Sequence, residues 1–150
     1  MKIKLFKLIA YILIPLLVGG LGSFFTISSI PTWYVFLNKP VFSPPNWIFA
    51  PVWTVLYVLM GVSAYFASEM KAKIKNYWIQ LVLNALWTPI FFGLHSPALG
   101  LIVILALWWF ILRTIKDFYK TNKTSAYLLI PYLLWVSFAT ILNFAILILN

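Results

Sequence analysis

A chain of 150 residues that is 64% hydrophobic and 9% charged, with net charge +9 and mean hydropathy +1.01, has more apolar surface than a soluble globule this small can hide. The basic residues sit in short clusters between long apolar runs, not along one amphipathic face, which argues against nucleic acid as a partner. With no cysteine and a single histidine (His95), the chain has no disulfide, no thiolate nucleophile and no metal-ligating set.

The expected fold is therefore an all-α integral membrane protein, one domain over residues 1–150. Period-two alternation, which a membrane barrel requires, is absent. Apolar segments at about 6–29, 46–68, 77–94, 97–115 and 126–149 are each near the ~20 residues a helix needs to cross a bilayer. They predict a five-transmembrane-helix bundle with a long loop between helices one and two. The N-terminus starts like a signal peptide, but its apolar run continues to about Ile30, so it is read as the first span. Threaded alternately, five spans put Lys2, Lys4, Lys7, Lys71, Lys73, Lys75, Arg113, Lys116, Lys120 and Lys123 on one side and Lys39 on the other. By the positive-inside rule the N-terminus is cytoplasmic, and the first loop and C-terminus lie outside.

The first span carries Gly19 and Ser23 at a small-xxx-small spacing, suited to packing within the chain or to a dimer seam. Pro15, Pro89 and Pro131 lie inside apolar spans, where each removes a helical hydrogen bond and is expected to kink its helix. The loop 31–45 contains Trp33, Tyr34, Phe36, Pro40, Phe42, Pro44 and Pro45, which makes it too apolar for a solvated linker. It reads either as an ordered lid or as an interfacial aromatic belt. Ser43 followed by Pro44 resembles an N-cap with proline at the first helical position, launching helix two.

Three inward stripes follow from helical spacing. Helix two has Trp53, Tyr57 and Gly61, helix three has Gln80, Asn84, Trp87 and Phe91, and helix five has Trp135, Ala139 and Asn143. An unpaired amide is costly in hydrocarbon, so Asn84 and Asn143 should face protein, as interhelical glue or as ligand contacts. Aromatic planes with a few polar groups suit a flat hydrophobic ligand with polar edges. The two acids, Glu69 and Asp117, fall in cytoplasmic loops, so acid–base hydrolysis and carboxylate proton relays find no support. His95 reads as an ordinary interfacial residue.

Together Trp33 and Tyr34, Lys39 and Pro40, SPPNW (43–47), APVWTVLY (50–57), LNALWTPIFFG (83–93) and PYLLWVSFATILN (131–143) resemble the translocator protein family, the tryptophan-rich sensory proteins, over roughly residues 15–145. The resemblance implies five membrane helices, commonly a homodimer, and a cavity beneath the first loop that binds porphyrins such as protoporphyrin IX. It implies pocket residues Tyr34, Pro44, Trp53, Tyr57, Asn84, Trp87, Phe91, Trp135, Ala139 and Asn143, with porphyrin as ligand and no cofactor. Three functions fit: a receptor for porphyrins or similar lipophiles, a light-dependent porphyrin-degrading enzyme using Trp53 and Trp135, or a porphyrin or lipid transporter. The family's sterol motif near the end of helix five is absent, leaving only a generic match at Val62, Tyr65 and Lys71. Some relatives carry an acid in helix four where Val103 stands here.

Overall fold

The computed structural model describes residues 3–150, so Lys2, counted above with the cytoplasmic cations, lies outside the described residues. Among these the chain is predominantly helical, with no strand. Helix α1 spans Leu5–Thr32 and α2 spans Phe49–Glu69 after a 3-10 turn at Asn46–Ile48. Helix α3 spans Lys75–Thr88 and runs into a π turn, Pro89–Gly93. Helices α4, α5 and α6 span Pro97–Tyr119, Lys123–Leu128 and Ile130–Leu149. Four stretches are long and apolar enough to cross a membrane: Leu5–Thr32, Asn46–Glu69, Pro97–Tyr119 and Lys123–Leu149.

Proline placement explains where these elements differ from the expected ones. Helix α1 continues through Pro31 to Thr32, so the connection to α2 starts at Trp33. Ser43 does not cap α2. Pro45 holds the preceding Pro44 extended, so helical backbone cannot begin there, and the first turn starts at Asn46 with no side-chain cap. The Ser-Pro cap is found instead at α4, where the Ser96 hydroxyl accepts from the Leu99 N–H at 3.3 Å and Pro97 opens the helix. Pro131 sits in the first turn of α6, and the chain breaks just before it into α5 and α6, a sharper effect than a kink. At Pro89 the helix widens into the π turn, closed by Leu94 N–H to Pro89 C=O at 2.9 Å, and both Phe91 and Phe92 are buried.

Pro15 has a partner in another helix. It has no N–H to bond the Tyr11 carbonyl four residues earlier, and Gly61 of α2 packs directly there. A Cβ at Gly61 would lie 2.6 Å from Tyr11 O and 2.5 Å from Ile12 Cα. The two helices thus approach backbone to backbone, the close approach that only glycine permits. Gly19, from the expected small-residue seam, is packed on the Tyr57 ring, and Ser23 bonds its own helix at Gly20 O. Gly19 thus packs within the chain.

The densest core lies where α2, α3, α4 and α5 meet, around Met60, Ala64, Tyr77, Ile111 and Phe118, each 0% exposed. The ends that meet there are stitched by polar bonds. Lys4 and Lys7 pair with Glu69 at 3.0 and 2.6 Å, Asn76 donates to Asp117 at 2.6 Å, and the Ser63 hydroxyl donates to Ser125 O at 2.7 Å. Toward the opposite end α2 and α6 barely touch, and a cavity opens between them.

Candidate ligand cavity

The cavity measures about 450 Å³ and is walled by α1, α2, α3, α4 and α6, with Tyr34 of the α1–α2 connection at one end. That volume falls in the range of small-molecule sites, ~300–1,000 Å³. The three stripes converge on it: Trp53 and Tyr57, then Asn84, Trp87 and Phe91, then Trp135, Ala139 and Asn143 all line it. Of the ten residues expected around a ligand, Pro44 alone does not; it shapes the path of the chain into α2. Asn46, Ala50 and Thr54 also line the cavity. Asn46 and Ala50 stand seven and three residues before Trp53, on the same helical stripe, so the spacing that singles out Trp53 and Tyr57 extends to them.

The floor is a chain of buried hydrogen bonds. The Tyr57 hydroxyl donates to Asn84 Oδ1 at 2.9 Å, Asn84 Nδ2 donates to the Tyr132 oxygen at 2.8 Å, and the Tyr132 hydroxyl donates to Gln80 Oε1 at 2.8 Å. Asn143 is likewise engaged, accepting from Trp87 Nε1 at 3.2 Å and donating to Pro97 O at 2.8 Å. Both asparagines therefore act as interhelical glue, holding aromatic rings in fixed orientation. Trp87 stacks on Phe91 at 5.0 Å and Trp53 on Tyr57 at 5.5 Å. Against this satisfied background one group stands out: the Trp135 indole N–H is buried with no partner. A buried donor left unpaired costs on the order of 1–3 kcal/mol.

The 33–45 connection is fastened over the cavity rather than lying loosely at an interface. Tyr34 is 3% exposed and packs against Phe91 and Phe92 at 6.5 and 5.6 Å. Burial pushes its hydroxyl pKa up, with a smaller opposing effect of Ser43, so the group stays a neutral donor. Lys39 Nζ bonds Tyr34 O at 2.8 Å and Leu37 O at 3.0 Å and lies 4.9 Å from the Tyr34 ring centre. Trp33 stacks on His95 at 4.6 Å, so the histidine of the α3–α4 turn has a specific packing role. Phe42 meets Phe138 of α6 at 6.3 Å.

Asn38 and Asn150 form a reciprocal pair: Asn38 N–H to Asn150 Oδ1 and Asn150 Nδ2 to Asn38 O, both at 2.9 Å. Asn150→Ala should loosen this clasp by about 1 kcal/mol, or roughly fivefold in opening. Hydrogen exchange at the Asn38 amide measures it; unchanged protection would mean that the aromatic contacts hold the connection alone.

The cavity is not sealed from the side. Ile27 is 70% exposed, and Gly20, Ala50 and Thr54 are exposed as well, yet all four line the cavity. A Cβ at Gly20 would meet nothing within 4 Å. The opening lies between α1 and α2, on the face that a bilayer would cover. The generic sterol pattern has no comparable access: Tyr65 is 0% exposed and its hydroxyl accepts from the Lys4 backbone N–H at 2.8 Å.

Residues 11–149 match the model of the TspO/MBR family. A tryptophan-rich protein TspO of Archaeoglobus fulgidus is 47% identical, over 98% of this chain and 99% of its own. One of Chlorobaculum tepidum is 43% identical over 90% of each, and the translocator protein of Bos taurus is 35% identical over 91% of this chain and 85% of its own.

Proposed function

This chain belongs to the TspO/MBR family, and from that premise we propose that it is a membrane receptor for porphyrins, protoporphyrin IX among them, or similar flat lipophilic ligands. The observation that carries the reading is the aromatic cavity of about 450 Å³, lined by Trp53, Trp87, Phe91 and Trp135. Flat faces of Trp53, Trp87 and Phe91 offer stacking surface. The opening between α1 and α2 supports loading from the bilayer, where such ligands partition.

The same reading takes five membrane spans, with the N-terminus cytoplasmic in a prokaryotic cell membrane. Helix α3 with its π turn runs from Lys75 to Gly93, 14 and 5 residues, about 28 Å at the helical rise and close to the ~30 Å hydrocarbon core. Its lower hydropathy reflects Gln80 and Asn84, which are 1% and 5% exposed and bonded to other helices. Lipid need not solvate them. A homodimer, implied by the family resemblance, belongs to this reading as well.

Titration of the purified protein with protoporphyrin IX should quench tryptophan fluorescence saturably. Trp135→Ala, which removes a ring that lines the cavity, should weaken binding roughly 30-fold or more. Linear, unsaturable quenching, or equal affinity in the variant, would remove the basis of the proposal.

A further inference from the structure

The outward face of α4 carries a second pattern unrelated to the cavity. Ile102, Leu105, Trp109, Arg113, Lys116 and Lys120 follow one another at steps of three or four residues, so they form one stripe along the helix, and every one is exposed. Polarity changes in one direction along it: two aliphatic side chains, an indole, then three cations. The Arg113 guanidinium lies 6.0 Å from the centre of the Trp109 ring, joining the apolar half to the charged half.

No carboxylate neutralises these cations. Among the described residues Glu69 pairs with Lys4 and Lys7. Asp117 stands one turn beyond Arg113, where a pair would be possible, but it is turned to Asn76 of α3 at 2.6 Å. Three like charges within two turns repel one another, and an external anion relieves that repulsion. Sidedness alone would require only that the cations lie at this end of the bundle, as Lys71 and Lys73 of the α2–α3 connection and Lys75 at the start of α3 do. It does not require three of them in register beneath an exposed indole on a lipid-facing stripe.

We propose that this stripe is a binding site for a phospholipid with an anionic headgroup. The acyl chains lie along Ile102 and Leu105, the glycerol region meets Trp109, and the headgroup sits among Arg113, Lys116 and Lys120. The site rests on membrane placement of the chain and not on the identity of the cavity ligand.

The test places the full chain in phosphatidylcholine nanodiscs that contain an equal mole fraction of brominated phosphatidylglycerol or of brominated phosphatidylcholine. Quenching of Trp109 is read as the difference between wild type and Trp109→Phe. Brominated phosphatidylglycerol should occupy the site on the order of tenfold more strongly than brominated phosphatidylcholine. The triple variant Arg113→Gln, Lys116→Gln, Lys120→Gln should lose that preference, while Lys71→Gln, Lys73→Gln, Lys75→Gln, with the same loss of charge, should keep it. Equal quenching by the two lipids in the wild type overturns the proposal without recourse to any variant that fails to fold. Equal loss in both triple variants reduces it to general surface attraction, and release of the lipid by added inorganic phosphate would assign the cations to free anion instead.

Discussion

Gly61→Val is expected to be the most damaging single substitution in the chain, lowering stability by about 3 kcal/mol or more. The cost is geometric. Any side chain at Gly61 projects onto the Tyr11 carbonyl and Ile12 Cα, within 2.6 Å and 2.5 Å of them. These are backbone atoms of a long helix and cannot rotate aside, so α1 must move away from α2 as a body. That separation also loosens the cavity, because Gly19 of the same helix is packed on Tyr57. Thermal unfolding in detergent should show a midpoint lower by roughly 10 °C. Gly20→Ala, at the residue next to the packed Gly19 of α1 but with nothing within 4 Å of its new methyl, should stay within about 0.5 kcal/mol of wild type. Similar losses in both would show that the cost does not come from the close approach of α1 and α2, since both substitutions raise helix propensity.

Asn84→Leu is expected to cost about 1–3 kcal/mol, near the upper end of single polar contacts in membrane proteins. Leucine keeps the branched outline and heavy-atom count of asparagine but leaves the Tyr57 hydroxyl without an acceptor, while Tyr132 keeps its bond to Gln80. Tyr57→Phe removes the group that is stranded. If the chain of bonds operates as a unit, the double variant should be more stable than the sum of the two single effects predicts. Strict additivity would show that Asn84 and Tyr57 act independently, and the floor of the cavity would then be held by ring packing alone.

Much of the cavity was legible in one dimension because a helix repeats every 3.6 residues. That period puts Trp53 and Tyr57, Asn84 and Phe91, or Trp135 and Asn143 on common faces whatever the helices do next. The same logic misjudged Ser43 and Pro44, since a cap signal was read without the effect of Pro45 on the residue before it. It also treated Pro131 as an interior kink, although proline fits most easily in a first turn and the chain can break just upstream to provide one. Pro44 was assigned to the pocket by resemblance, and the structure leaves it outside the lining.

The sequence by itself determined the membrane class, the helical composition, the clustering of cations and the faces that carry aromatic and amide groups. These are properties of local composition and period, and each can be read without knowing a neighbour. Only the tertiary structure decided that Gly61 meets the carbonyl freed by Pro15, that both asparagines are already bonded, that the Trp135 N–H is left without a partner, and that the cavity opens between α1 and α2. Those facts depend on distances between atoms far apart in the chain, and no local pattern encodes how closely two helices approach or which hydrogen bond a buried amide has already made.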